Sequence, residues 1–271
     1  MHPDIEYRMI TTAHDMHEIE ELQRTVWGGA TATPVPQLVA SVQNGGVVIG
    51  AYINGKCAGF CFGFAGFKQG ETYLLSHMLG ILPEYRDLGL GKRLKLEQRN
   101  WALANGYSKM MWTYDPLEAR NAYLNLCKLG GRVRTYIESY YGEMKDGINK
   151  GLPTDRFLLE WDLRSERASR AAEGDHLMET KWREYPLLLD WEEVDSFPVP
   201  TVQHSLERTQ GYLIPVPAAI HDLKREQSAV ALQWRLALRE LFQSAFANGY
   251  EAVGLLKSDE KVHFYVIEAS Q

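Results

Sequence analysis

The chain has 271 residues, 45% of them hydrophobic and 24% charged, with 29 Lys+Arg against 35 Asp+Glu and a formal net charge of −6. That composition is globular, and the length suffices for one large core or two modest ones. The acidic balance argues against a general nucleic-acid binder, but it leaves room for a local basic pocket around a small anion.

The opening MHPDIEYRMITTAHD lacks the basic-then-apolar order of a secretory signal. No apolar run approaches the roughly 20 residues of a membrane span. Within this opening, IEYRMIT reads as a strand. Met16, Ile19, Leu22 and Val26 then recur at three- and four-residue spacing, which predicts an amphipathic helix over 14–27. TPVPQLVASVQNGG starts at two prolines and stops at Asn-Gly-Gly, the pattern of a second, short helix. GGVVIGAYINGKCAGFCFGFAG is a hairpin pattern, two apolar runs about Asn54-Gly55. Cys57 and Cys61 lie in it, four apart. With Cys127 they make an odd number without zinc spacing, so the expectation is buried free thiols, no metal and a cytoplasmic, reducing setting.

ETYLLSHMLGILPEYR is nearly continuously apolar until Pro83, as a strand buried on both faces would be. Next comes PEYRDLGLGKRL, then a helical run ending at Gly106, with Leu90, Leu94, Trp101 and Ala104 expected on one face. SKMMWTYDP predicts a strand. LEARNAYLNLCKLGG predicts a helix over 118–130, and strands follow near 131–138 and 155–162. These elements make an α/β or α+β domain, strands and helices mixed, over 1–163. LRSERASRAAEGDH is charged and poor in large apolar groups, and it predicts a linker over 164–180.

Residues 181–271 predict a smaller α/β subdomain. Its helix sets Val230, Trp234, Leu238, Leu241 and Ala245 on one face and stops at ANGY (247–250), as the earlier helix stops at 104–107. Two readings stand: a shared helix-stop signal, or a degenerate half-repeat of the first domain's strand–helix–strand unit. Its turn, IPVPAAIHDLK, lacks the glycine pair and is not expected to hold a phosphate.

Glycine is rare at a helix start, and Gly89 and Gly91 stand at one. The first helical amides lack intrahelical partners and lie at the positive end of the helix dipole, so they suit an anion. Glycines there let several amides approach one point. Arg86, Lys92 and Arg93 add positive charge. No GxxxxGK[ST] loop occurs, and no acidic residue follows a GxGxxG at dinucleotide spacing. A plain turn and a phosphate cradle are the readings left.

Arg86-x-x-Gly89-x-Gly91 after an apolar strand resembles the acetyl-coenzyme A motif of the GNAT superfamily of N-acetyltransferases, (Arg/Gln)-x-x-Gly-x-(Gly/Ala). Ile81-x-Pro-Glu-Tyr-Arg matches the usual lead-in, and the element order agrees over roughly 4–162. The resemblance implies that backbone amides of Arg86, Asp87, Leu88, Gly89, Leu90, Gly91 and Lys92 hold the pyrophosphate. Leu79, Gly80 and Ile81 would run beside the pantetheine, in a gap where two neighbouring strands splay. The helix over 118–130 would flank the thioester, with Asn121 a cofactor contact.

Acyl transfer to an amine needs two substrates held together and a base for the amine's proton. His77, four residues before Ile81, is the candidate base, because the aralkylamine-acetylating branch is similar there. Many relatives carry a tyrosine four residues before the helix-ending glycine as acid toward the thiolate. Counting back from Gly130 gives Leu126, which cannot donate a proton. Tyr123 and Asn125 are therefore the nearby candidates, although Asn125 does not titrate. Arg120, Arg132 and Arg134 are either surface charge or carboxylate recognition for an amino acid acceptor or a succinyl-type acyl group. Asp115, at a strand end, is a further polar candidate, to orient an amine. The resemblance thus implies an acyl-CoA-dependent N-acyltransferase acting on a small amine or amino acid, with no nucleic acid or membrane partner, and a homodimer contact as one use for the tail. The alternative is a non-catalytic acyl-CoA-binding module with a carboxy-terminal interaction domain.

Overall fold

The structure is a computed structural model, and it describes residues 4–29, 32–142, 152–175, 177–207 and 209–270. They cluster into two compact units: Met1–Trp112 with Asp162–Ser165, and Thr113–Trp161 with Glu166–Gln271.

In the first unit, β1 (Ile5–Met9), α1 (Ala13–Trp27) and α2 (Val35–Gln43) precede β2 (Val47–Ile53), β3 (Lys56–Lys68) and β4 (Glu71–Ile81). A 3₁₀ turn at Pro83–Tyr85 leads to α3 (Leu90–Ala104) and β5 (Lys109–Tyr114). The strands lie in chain order; all pairs are antiparallel except β4–β5, which is parallel. The hairpin turn has Asn54 at φ 51° and Gly55 at φ 78°, the two positive dihedrals of a type I′ turn. α1 begins with Thr12, whose side chain accepts from the Asp15 amide, and buries Met16, Ile19 and Leu22 against Phe60, Phe62 and Val48.

α3 departs from expectation. Leu90 and Leu94 are buried, but the rest of the inner face is Lys95, Gln98 and Ala102. Trp101 is half-buried, stacked 6.1 Å from Tyr107, and Ala104 is exposed. Polar side chains continue the apolar periodicity there.

In the second unit, α4 (Ala119–Ala122) passes into a π-helical segment at Tyr123–Lys128, followed by β6 (Arg132–Ile137), β7 (Arg156–Asp162) and α5 (Glu166–Ala172). Segment 164–180 is thus more than a tether. Ala168 and Ala171 are buried, and Arg167 donates to the Leu126 and Val253 carbonyls. A hairpin, β8 (Leu189–Val194) and β9 (Phe197–Gln203), precedes β10 (Gly211–Pro217), α6 (Ile220–Glu226), α7 (Ser228–Ala247), β11 (Tyr250–Leu256) and β12 (Val262–Ala269). Strand order in this sheet is β7–β6–β11–β12–β10. β12 separates β10 from β11, whereas α3 joins the direct neighbours β4 and β5. α7 buries Trp234, Leu238, Leu241 and Ala245 as its periodicity predicts, with Val230 half-buried, but it also buries Arg235.

Among the described residues, no helix is long and apolar enough to cross a membrane, and no group of three or more His, Cys, Asp or Glu forms a metal-holding cluster.

Candidate functional site

The site begins at the end of β4. Leu82 donates to the Ala58 carbonyl at 3.0 Å, and the 3₁₀ turn closes with Tyr85 N–H on Leu82 O and Arg86 N–H on Pro83 O. Asp87 at φ 69° and Gly89 at φ 77° then reverse the chain into α3. Gly89 is the helix N-cap in the left-handed region, which a β-carbon disfavours by about 1–2 kcal/mol. The first intrahelical bond is from Arg93 N–H to Gly89 O, so the amides of Gly89, Leu90 and Gly91 precede the ladder. Arg86 and Gly89 are exposed, Gly91 is half-buried and Leu90 is buried. Gly91 has no such conformational need. A β-carbon built there meets only Leu79 Cδ2, at 3.7 Å, an ordinary contact. Neither packing nor conformation requires glycine at 91, so its small size is free to serve a ligand. Arg93 bonds Glu97 one turn on at 2.7 Å, and part of its charge is spent within the helix.

β4 supplies the second part. Its β3 edge is paired from Glu71 to Ile81. Toward β5 the pairing consists of Leu74↔Met110 and Leu75↔Met111, after which the strands separate. Among the described residues, the 76–81 edge of β4 on that side has no strand partner. Leu79 and Ile81 are half-buried on this stretch. Gly80 is fixed by packing instead: a β-carbon would meet Trp27 at 2.8 Å and Phe60 at 2.9 Å.

His77 sits where the β3–β4 register shifts. Phe62 pairs with Met78 and Gly63 with Ser76, so His77 is the extra residue of a bulge. Its exposed ring lies 6.0 Å from Phe62 and 5.6 Å from Phe64. Desolvation by these surroundings lowers its pKa below the usual histidine value, so the neutral imidazole, which accepts a proton, predominates at neutral pH.

The other predicted residues lie in the second unit. Asn121 is exposed and Asn125 is buried. Tyr123 is half-buried, with the Lys257 ammonium 4.2 Å from its ring centroid, and burial raises its pKa. The π-helical segment changes the counting. Its i→i+5 bonding carries more residues per turn, so a four-residue step back from Gly130 does not follow one face. Leu126 is fully buried.

Two sequence expectations are corrected. Asp115 is not available to an amine, because its carboxylate accepts from Arg235 at 2.7 Å and Leu117 N–H at 2.8 Å, with Lys224 at 3.7 Å. Burial alone would raise its pKa; these partners hold it below the ordinary carboxylate range. Arg132 and Arg134 both engage Glu251, which is 1% exposed, so they neutralise a buried carboxylate. Arg120 is exposed.

A glycine-opened helix beside a parallel strand pair that parts after two residues belongs here to a mixed α/β fold. Residues 13–128 match the model of the Acetyltransferase (GNAT) family. Solved structures resemble it at low identity. A GNAT acetyltransferase from Streptococcus pneumoniae is 18% identical with a TM-score of 0.48, matching 58% of this chain and 98% of its own. YncA of Salmonella typhimurium, solved with acetyl-CoA, is 15% identical with a TM-score of 0.48, over 60% and 95% of the two chains. Arabidopsis thaliana Naa50, in complex with a bisubstrate analogue, is 15% identical with a TM-score of 0.47, over 58% and 97%. Among curated proteins, none matches the chain.

Proposed function

We propose that the protein is an acyl-CoA-dependent N-acyltransferase that moves an acetyl group to the amine of a small molecule or an amino acid. The observation that carries this reading is the fork between β4 and β5, with the glycine-opened start of α3 following the end of β4. The residues fit the cosubstrate. The backbone from Arg86 to Lys92 would hold the pyrophosphate at the helix N-terminus, where Gly91 leaves space for a β-carbon that is absent. The unpaired edge at Leu79, Gly80 and Ile81 would bond the pantetheine amides as a strand does. His77, raised out of register by its bulge and held neutral, receives the proton that the amine loses. Asn121 is proposed as a cofactor contact, with Tyr123 and Asn125 as residues of the thioester end. Holding both substrates in one gap supplies much of the rate, and the base adds about 10²–10⁴-fold. Three buried free thiols support a reducing compartment, and we assign the cytoplasm on that ground.

The test is thiol release from acetyl-CoA in the presence of pooled primary amines and amino acids. Release that requires an amine supports an enzyme. Tight CoA binding without turnover for any acceptor would favour the non-catalytic binding module.

A further inference from the structure

The first unit buries a lysine that this reaction does not yet use. Lys95 is 2% exposed on the inner face of α3, and Ser76 and Gln98 beside it are also buried. Lys95 Nζ donates to Ser76 Oγ at 2.6 Å, and Ser76 Oγ donates to Gln98 Oε1 at 2.5 Å. The Trp112 ring centroid lies 3.6 Å from Nζ. Burying an ammonium without a counter-charge costs several kcal/mol, and a leucine or methionine would fill this position at no such cost.

Its position is specific. Leu75↔Met111 is the last pair of β4 and β5, and Ser76 and Trp112 are the next residue on each strand. Lys95 touches both, so its amine stands at the vertex of the fork.

One proton of the proposed reaction has no assigned source: Leu126 cannot donate one, Asn125 does not titrate, and burial raises the Tyr123 phenol, whose ring packs under the Lys257 ammonium. Resting on the acyl-CoA reading above, we propose that Lys95 supplies, through the Ser76 hydroxyl, the proton taken by the departing sulfur. As the acceptor nitrogen bonds to the acyl carbon, the C–S bond breaks and its electron pair stays on sulfur. The Ser76 hydroxyl turns from Gln98 Oε1, gives its proton to sulfur and takes one from the Lys95 ammonium. The nitrogen's surplus proton goes to His77. After product release, His77 loses a proton to water and Lys95 regains one, so the enzyme is restored. Lys95 acts through Ser76 and is a positioning residue.

Burial pushes the Lys95 pKa down to about 7, below the roughly 8.5 of an ordinary thiol, so transfer to a thiolate runs downhill. Among the described residues, the neighbouring elements do not bring an anion against Nζ. Cys61 on β3 is held protonated, its pKa raised to about 12 by burial, and Tyr52 on β2 bonds Glu18. On β4, His77 packs on Phe62 and Phe64; on β5, Lys109 pairs with Glu71. On α3 itself, Arg93 pairs with Glu97, and Arg99 bonds the Leu163 carbonyl.

The experiment is an NMR titration of the full chain labelled with ¹³Cε-lysine and ¹⁵N-glycine, saturated with CoA or with desulfo-CoA, in which hydrogen replaces the thiol. The Lys95 signal is assigned by its loss in Lys95→Met, or in Lys95→Arg if the methionine variant does not fold. The expected midpoint is near pH 7 with desulfo-CoA and about one unit higher with CoA, because a facing thiolate favours the ammonium. Equal midpoints with the two ligands, or a Lys95 signal that does not titrate below pH 9, would overturn the proposal. If neither ligand moves the Gly89 and Gly91 amide signals, the cofactor reading itself is wrong and the proposal goes with it. The amide signals tell the two failures apart.

Discussion

Replacing Gly91 by valine separates the fold's needs from those of a ligand. In the free protein the new β-carbon meets only Leu79 Cδ2 at 3.7 Å, and Gly91 has no positive φ to lose. Valine also has a better helix propensity than glycine by a few tenths of a kcal/mol. The expected change in melting temperature is therefore between zero and a rise of about 2 °C. Binding should move the other way. Valine methyls stand over the amides of the first turn, and each amide–phosphate hydrogen bond is worth about 1.5–3 kcal/mol. Losing two of them costs about 3–6 kcal/mol, or roughly 10²–10⁴-fold in CoA affinity. Gly89→Val is the weaker test, since φ 77° adds strain of about 1–2 kcal/mol to folding. The assay is calorimetric titration with CoA beside differential scanning calorimetry of both proteins. A Gly91→Val protein that melts normally and binds CoA within about threefold of the parent refutes the cradle.

Three further outcomes are expected. His77→Gln should lower turnover about 10²-fold or more with CoA affinity retained. In the parent, kcat should rise with pH through a midpoint below 6.5 and then level; retention of that acidic limb in the variant would remove His77 as base. Lys95 has a folded-state pKa below its unfolded value, so the unfolded chain binds the extra proton and parental stability should climb from about pH 7 to 10.5. Lys95→Met should be more stable than the parent below pH 7, and the gain should fade as pH rises through that window, as read by urea unfolding. Asp115→Asn should cost about 3–5 kcal/mol by leaving Arg235, 1% exposed, without its charge partner, and adding Arg235→Met should recover most of it. Additive losses in that double-variant cycle would show that the pair is not coupled.

The contrast between Gly91 and Lys95 shows what sequence makes legible. Glycines at a helix start are anomalous by type, and their chemistry, exposed amides, belongs to the backbone, so spacing alone locates them. The hairpin turn and the helix stops are readable for the same reason. Lys95 and Gln98 continue the stripe of Leu94 and Ala102 at three- and four-residue steps, yet a polar letter reads as solvent-facing. Only a strict count of helical spacing would have put them inside. Arg132 and Arg134 looked free because Glu251 is more than a hundred residues away, and Asp115 because Arg235 is equally distant. Long-range charge pairing leaves no local trace. The bulge at His77 is likewise invisible, since one extra residue in a strand changes register without changing composition. The π-helical segment at Tyr123–Lys128 defeats counting altogether, because four residues no longer make a turn.

One measurement tests amine acetylation most directly: CoA thiol released from acetyl-CoA over time, with and without pooled amines, and mass spectrometry of the acceptors. The expected result is release that requires an amine, an acceptor heavier by one acetyl group, and loss of both in Gly91→Val. CoA bound by the folded protein with no acceptor acetylated would contradict it.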